Sequence, residues 1–253
     1  MRTKKMQNQK HATIFEYLFH KQEKDTLIIA HRGAKSLAKV ENTQEAFQIA
    51  INLNIKMVEF DVRKTADGKL IVFHNNHLSK RKLNTMTYKE LCKKTSIDGY
   101  KPPLLSDVLK ECQGNIMLDI ELKEAGYEEE VIELITSYYS IDQFVITSFL
   151  DSVVKKVKKI NANIKVGLLI GYEHAPLWQR ISEVFPVKRL KASKADFVVP
   201  HYKLVTPMLI KSCKLHHYDV VVWTVNNDKV FSKLQKKHVS AIITDYPQRY
   251  AYL

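Results

Sequence analysis

Residues 57–75 read MVEFDVRKTADGKLIVFHN, and this stretch decides the fold that the sequence predicts. Its first half is a β-rich apolar run that carries Glu59 and Asp61, and an Asp-Gly pair follows it. Asp-Gly between two apolar runs is a strong signal for a tight β-hairpin. A tight hairpin reverses the chain, so LIVFHN (70–75) cannot be a parallel strand beside its predecessor. We therefore expect a short antiparallel extension that folds His74 back over the rim of the sheet.

Short apolar runs alternate with amphipathic helical segments along the rest of the chain. The predicted helices include NTQEAFQIAINLN (42–54) and YEEEVIELITSYY (127–139). Near-continuous apolar strands joined by crossover helices are typical of parallel sheets that are buried on both faces. Eight strands are predicted, at 27–32, 57–62, 116–121, 144–148, 165–170, 196–200, 220–225 and 241–245. Eight such strands predict an α/β fold, a single (β/α)8 TIM-type barrel with a short antiparallel hairpin after the second strand.

The predicted domain organisation has two parts. Residues 1–26 are expected to form an N-terminal tail and a leading helix, ATIFEYLFHKQ, and residues 27–253 the barrel. The aromatic stripe of the leading helix favours packing against the bottom of the barrel over contact with a membrane. The polar segment 76–103 is expected to be an irregular excursion with a short helix near TYKELCKK (87–94).

The chain is strongly basic, with 40 Lys and Arg against 27 Asp and Glu and a formal net charge of +13. This charge favours anionic partners such as phosphodiesters, and it leaves a weak contact with anionic membrane surfaces open. The lysine clusters have helix-like spacing without interleaved aromatic residues, so we expect solvated helix faces and no nucleic-acid partner. The oligomeric state stays open.

Two further features bear on the cellular compartment. The N-terminus has no apolar signal region, and no run approaches the roughly 18 apolar residues of a membrane span. The three cysteines include no CxxC pair, so we expect neither a disulfide framework nor a zinc site. A cytoplasmic location is therefore expected.

Three carboxylates fall near the carboxyl ends of predicted strands, where barrel enzymes carry their active sites. Residues i and i+2 of a strand share a face, so Glu59 and Asp61 point together, and so do Glu121 and Lys123. Three converging carboxylates repel one another unless a cation holds them, and oxygen ligands suit Mg²⁺ or Ca²⁺. The alternative is a structural ion pair between Glu59 or Glu121 and Arg63 or Lys123. We expect Glu59, Asp61 and Glu121 to be the metal ligands.

Two histidines and two cations flank the expected metal site. His31 ends the first strand and His74 arrives from the hairpin, so the pair can supply a general base and a general acid near neutral pH. Arg32 offers a two-pronged donor to phosphate oxygens, and Lys123 offers a point charge. A metal, two histidines and two cations suit the cleavage of a phosphodiester.

The motifs that carry these residues also resemble those of the glycerophosphodiester phosphodiesterase family, which uses a barrel of the phosphatidylinositol-phospholipase-C type. They occur in the family's order across residues 27–247, as HRGAKSLAKVENTQEAF, VEFDVRKTADGKLIVFHNNHL, LDIELK, WTVN and ITDYP. Several separated motifs in one order are a specific signal.

The resemblance implies a distorted TIM-type barrel that hydrolyses glycerophosphodiesters to glycerol phosphate and an alcohol with a divalent cation, Mg²⁺ or Ca²⁺. By position, three residues match the metal ligands (Glu59, Asp61, Glu121), two the catalytic pair (His31, His74) and two the phosphate-binding cations (Arg32, Lys123). Trp223 in WTVN matches a residue that lines the substrate pocket. Glu41 and Asn42 match a motif beside the HRG turn, with a supporting role or a secondary metal contact.

The chain departs from the family pattern at Val40, Asn75 and Asp119, where the family usually has Pro, Asp and Asn. The Asn75 change removes a carboxylate beside His74, and that carboxylate would raise the pKa of the histidine. Asp245 in ITDYP could contact a ligand or hold a loop. Two other functions stay open. One is hydrolysis of lysophospholipids, sphingolipids or a teichoic-acid-type polymer on the same barrel. The other is the binding of phosphorylated ligands by a catalytically silent barrel.

Overall fold

The computed structural model describes residues 26–171 and 182–251. The expected N-terminal tail and leading helix of residues 1–26 lie outside the described residues, except for Thr26. Among the described residues, none of the helices is long and apolar enough to cross a membrane.

Eight parallel strands close into a barrel within the described residues. The strands of the whole described chain are β1 (Leu27–His31), β2 (Met57–Lys64), β3 (Leu70–Val72), β4 (His77–Leu78), β5 (Arg81–Lys82), β6 (Met117–Leu122), β7 (Phe144–Ser148), β8 (Lys165–Ile170), β9 (Phe197–Pro200), β10 (Asp219–Val222) and β11 (Ala241–Thr244). The order around the barrel is β1-β11-β10-β9-β8-β7-β6-β2, and β2 pairs again with β1. The predicted TIM-type barrel is confirmed.

The predicted hairpin is also present. β3 pairs antiparallel with the end of β2, with Val62 opposite Val72 and Lys64 opposite Leu70. The turn between them is closed by Gly68, whose φ of 78° lies in the left-handed region that glycine adopts without strain. The hairpin therefore lengthens β2 past the barrel wall and carries the chain back toward the mouth.

Helices cover the outside of the barrel. They are α1 (Gln44–Asn52), α2 (Tyr88–Thr95), α3 (Leu105–Cys112), α4 (Glu128–Thr136), α5 (Asp151–Ile160), α6 (Val187–Ser193), α7 (Pro207–Leu215) and α8 (Asp228–Gln235). The threonine caps of α1, α2 and α7 each accept a hydrogen bond from a backbone N–H of the first turn, a donor that has no partner within the helix. α2 fulfils the prediction of a short helix in the excursion.

The excursion also contains an element that the sequence did not indicate, a two-stranded ribbon of β4 and β5. Below it, Ile71, Leu83, Met86 and Leu91 form a small apolar cluster that holds the excursion against the hairpin. The excursion is thus packed onto the barrel by a core of its own.

The barrel interior is apolar in its lower part. Met57, Met117 and Phe197 pack there with inward-facing residues of the other strands. Gly167 leaves the space that the Phe197 ring fills, since a Cβ atom on Gly167 would lie 2.4 Å from that ring. Because inward residues alternate along a strand, the residues two and four positions after Met57 and Met117 must also point inward, above this apolar floor.

Candidate active site

Those inward positions hold the three carboxylates singled out in the sequence. Glu59 and Asp61 follow Met57 on β2, and Glu121 lies opposite Asp61 on β6 in the strand register. One oxygen of each carboxylate lies within 4.8 Å of the others, and all three side chains are buried. Burial and repulsion among the carboxylates raise the pKa of Glu59 well above its usual value, and burial also raises that of Glu121.

Two cations partly neutralise the cluster of three carboxylates. The Lys123 Nζ atom lies 2.7 Å from Asp61 Oδ1 and 2.6 Å from Glu121 Oε2, and Arg32 Nε lies 3.2 Å from Asp61 Oδ2. Burial opposes ionisation of Asp61, but Lys123 and Arg32 outweigh it and lower the pKa of that carboxyl far below its usual value. The ion pair between Glu121 and Lys123, the alternative to a metal ligand, therefore exists, whereas Arg63 pairs with Glu124.

The remaining donor atoms of this group fit a hard divalent cation. Glu121 Oε1 is buried and has no hydrogen-bond partner among the described residues. Glu59 Oε2 accepts a hydrogen bond from the Arg32 backbone N–H at 3.0 Å, and His31 Nε2 lies 3.8 Å from it. Buried carboxylate oxygens without a full set of donors carry a desolvation cost that a bound cation removes. The three carboxylates can therefore hold a metal ion.

Arg32 is fixed in the turn after β1. Its own φ is 53°, and Gly33 follows with a φ of 82°. Its guanidinium donates to Glu41 Oε1 at 2.8 Å, while Asn42 Nδ2 donates to Asp61 Oδ2 at 2.8 Å. The Glu41-Asn42 pair thus holds the turn and one metal-facing carboxylate in place, a supporting position like the one the sequence suggested.

His31 ends β1 and is oriented by a carboxylate from the opposite end of the chain. Its Nδ1 lies 2.6 Å from Asp245 Oδ1, and Asn226 Nδ2 donates to Asp245 Oδ2 at 2.6 Å. Burial raises the pKa of Asp245, but His31, Lys35 and Asn226 together outweigh it and lower that pKa to about 2. The ionised carboxylate accepts a hydrogen bond from the Nδ1–H group, so Nε2 of a neutral ring is the free acceptor and faces Glu59.

His74 lies just beyond β3, where the hairpin returns to the barrel mouth. Its Nδ1 is 3.0 Å from Asn75 Oδ1, and its backbone carbonyl accepts from Arg63 Nε at 2.8 Å. Burial lowers the pKa of His74 to about 4, although Asp61 acts in the opposite direction. An amide oxygen accepts a hydrogen bond without adding a charge, so Asn75 orients the ring and stabilises its protonated form less than a carboxylate would.

Both histidines line one cleft of about 960 Å³ at the carboxyl ends of the barrel strands. One side is charged and is built by the turn after β1, by β2, by β6 and by the hairpin. The other side is mainly apolar and carries Phe149, Leu150, Leu169, His201 and Trp223. A cleft with these two sides suits a ligand that has an anionic group and a carbon-rich part.

Trp223 follows β10 directly, and its ring forms part of the apolar side. Its indole Nε1 lies 3.0 Å from the Val199 carbonyl and 3.3 Å from that of Ile170. The ring packs edge-to-face against Phe149 and His201, at centroid distances of 5.4 and 5.1 Å. The strand predicted over 220–225 ends at Val222, because Trp223 forms only an isolated β-bridge, with His201.

Sequence reasoning gave no firm role to two acidic residues of this site. Asp245 directly follows the eighth barrel strand, a position like that of the other carboxylates near strand ends, but its contact with His31 spans 214 positions. Asp119 lies on the cleft floor and accepts from Thr147 Oγ1 at 2.9 Å. Burial raises the pKa of Asp119 to about 7.

Comparison with known proteins agrees with this geometry. The model of the glycerophosphoryl diester phosphodiesterase family matches residues 31–249. The protein YhdW of Bacillus subtilis (strain 168) is 31% identical over 237 residues, which cover 87% of this chain and 94% of YhdW.

Two solved structures share the fold. One from Silicibacter pomeroyi DSS-3 superposes with a TM-score of 0.81 at 24% identity, over 93% of this chain and 95% of that one. An Oleispira antarctica phosphodiesterase, solved with the product sn-glycerol-3-phosphate, superposes with a TM-score of 0.76 at 23% identity, over 94% and 97% of the two chains. The chain belongs to the glycerophosphoryl diester phosphodiesterase family and is an enzyme of that hydrolase class.

Proposed function

We propose that the chain hydrolyses glycerophosphodiesters to glycerol phosphate and an alcohol, with a divalent cation and two histidines, and that residues 27–253 form the functional unit. One observation carries the proposal: a cleft lined by two imidazoles, one at the end of β1 and one just beyond β3, adjoins a cluster of three buried carboxylates. The Oleispira antarctica structure, solved with sn-glycerol-3-phosphate, supports the choice of substrate class.

Glu59, Asp61 and Glu121 would hold the cation, Mg²⁺ or Ca²⁺. When bound, that ion supplies positive charge for the phosphate oxygens, on which negative charge grows during the displacement. Arg32 and Lys123 would add their own positive charge to the phosphate site. Both are already held by carboxylates, so they are positioned before substrate arrives.

His31 and His74 would move the protons of the reaction. One imidazole takes a proton from the attacking hydroxyl, and the other gives a proton to the departing alcohol. Attack by water gives glycerol phosphate directly, whereas attack by a neighbouring glycerol hydroxyl gives a cyclic phosphate that a water molecule then opens to glycerol phosphate. Asp245 keeps the His31 ring in the orientation that leaves Nε2 open to the cleft. Trp223 would contact the carbon skeleton of the substrate from the apolar side.

The decisive assay compares several diesters with Mg²⁺, Ca²⁺ and EDTA. Release of glycerol phosphate from glycerophosphocholine, lost with EDTA and restored by added cation, is the expected result. The apolar side of the cleft also favours hydrolysis of lysophospholipids, so lysophosphatidylcholine belongs in the same assay. A preference for the long-chain substrate would support that second activity, and no hydrolysis of any diester would refute both.

A further inference from the structure

We propose that Arg63 is a positioning residue for His74, which it ties to Glu124 at the end of β6. This inference rests on the proposed function, because it concerns one of the two imidazoles assigned to proton transfer. It gives a role to a buried arginine to which the proposed function assigns none.

The backbone of the hairpin leaves His74 without strand pairing. The pairing of β2 with β3 ends at Val72, and the Phe73 N–H adds one bond to the Asp61 carbonyl at 2.9 Å. At the next residue the contact changes from backbone to side chain, since Arg63 Nε donates to the His74 carbonyl at 2.8 Å. Arg63 therefore holds the segment where the strand pairing stops.

The other end of the guanidinium is fixed as well. Arg63 Nη1 forms an ion pair with Glu124, and the Arg63 side chain is only 8% exposed. The Tyr127 hydroxyl lies 2.9 Å from Glu124 Oε2 and 2.8 Å from the Val62 carbonyl, and it accepts from the Glu124 N–H at 3.1 Å. Glu124 is thus held by one group besides Arg63, the Tyr127 hydroxyl, which contacts both its carboxylate and its backbone N–H.

The geometry links His74 to the cluster of three carboxylates. Arg63 lies two residues after Asp61 on β2, and Glu124 lies three residues after Glu121, at the end of β6. A guanidinium is planar and presents donors in several fixed directions, so one side chain can bind a carbonyl and a carboxylate at once. The three donors of an ammonium group all lie on one nitrogen, so it binds both partners only where both oxygens lie within hydrogen-bond reach of a single point. The distance between the His74 ring and the carboxylates therefore depends on arginine at this position.

The test compares Arg63→Lys with Arg81→Lys. Arg81 lies in the excursion of residues 76–103. It is a matched control because it also binds a glutamate, Glu90, and a backbone carbonyl, that of Thr85. With glycerophosphocholine and Mg²⁺, we expect Arg63→Lys to lower kcat at least about tenfold with KM within about threefold, as for loss of a group needed only in the transition state. Arg81→Lys should leave both constants unchanged.

A second readout reports on His74 without any turnover. In protein labelled with ¹⁵N and ¹³C at histidine, the His74 ring signal is assigned by its loss in His74→Gln. It should shift in Arg63→Lys and stay in place in Arg81→Lys. This readout stands even if the wild-type enzyme hydrolyses none of the diesters, so failure of the proposed function and failure of the positioning role are distinguishable.

Three results would overturn the proposal. The first is an unshifted His74 signal in Arg63→Lys. The second is a raised KM with unchanged kcat, which would make Arg63 a substrate contact. The third is a kcat that recovers fully when the temperature is lowered, which would make the role of Arg63 one of stability alone. If Arg63→Lys does not fold, Glu124→Gln replaces it, since that variant keeps the bond to the His74 carbonyl and weakens the opposite anchor. The same two readouts then apply.

Discussion

The imidazole Nδ1 of His31 lies 2.6 Å from the Oδ1 atom of Asp245, and this contact joins the first barrel strand to the segment after the last. Because β1 pairs with β11, closing the barrel is what brings the two residues together. Asn226 holds the far oxygen of the carboxylate, so the carboxylate cannot rotate away from the ring. The arrangement fixes which nitrogen of His31 faces the cleft.

Asp245→Asn should therefore impair catalysis. The amide keeps the shape but loses the charge that favours one ring orientation and one tautomer, so we expect kcat to fall by about 100-fold with little change in metal affinity. Steady-state kinetics and calorimetric titration of Mg²⁺ measure the two quantities. Asp142→Asn, in an exposed turn before β7, is the control and should match the wild-type enzyme. Wild-type kcat in Asp245→Asn would refute the role.

The same carboxylate should affect stability at acid pH. His31 and the other polar groups around Asp245 lower its pKa to about 2 from a usual value of 3.8, despite burial. A lowered pKa stabilises the folded state above the unfolded-state value, and the contribution is lost as the pH falls through about 2. The wild-type advantage in free energy of unfolding over Asp245→Asn should shrink as the pH falls from about 4 toward 2. A constant difference in urea unfolding across that range would contradict the pairing.

His74→Ala should lower kcat by about 100-fold or more, because it removes one of two proton-transfer groups. His77→Ala is a close control, since His77 lies three residues away and is exposed on β4. Initial rates on glycerophosphocholine measure both variants. Near-normal turnover in His74→Ala would rule out the paired-histidine scheme.

Glu121→Gln should weaken cation binding. Loss of a direct carboxylate ligand should cost more than the roughly 10- to 100-fold that changes around a metal site produce. Calorimetric titration with Mg²⁺ and with Ca²⁺ gives the affinities and shows which ion the site prefers. Glu133→Gln on the exposed face of α4 should bind as the wild type does. Equal affinities in the two variants would move the metal site elsewhere.

Gly33→Ala should destabilise the turn that carries Arg32. A Cβ atom there would lie 2.6 Å from Ala46 Cβ and 2.7 Å from the Ala46 backbone carbon, in a residue whose φ is 82°. Gly114 has a φ of 74° but open space around it, so Gly114→Ala isolates the backbone cost, roughly 1–2 kcal/mol. Crowding should cost Gly33→Ala a further 1–3 kcal/mol or so. Urea unfolding measures both, and equal losses would show that crowding is unimportant.

Much of this protein followed from the sequence because its signals are local. The strands 144–148 and 165–170 are predicted to the residue, since each is an apolar run that ends abruptly. The Asp-Gly hairpin follows from the conformations that its turn permits. The ribbon of β4 and β5 has only four residues, mostly polar, and lacks the alternation that would announce it.

The sequence alone determined the barrel class, the hairpin and the inward direction of Glu59, Asp61 and Glu121, because periodicity and turn chemistry act over a few residues. The tertiary structure decided which groups restrain the two histidines. His31 meets Asp245 across 214 positions, and His74 is held through Arg63 by Glu124, 61 positions after that arginine. Such contacts depend on barrel closure and strand register, and no local pattern encodes the distance between residues that far apart.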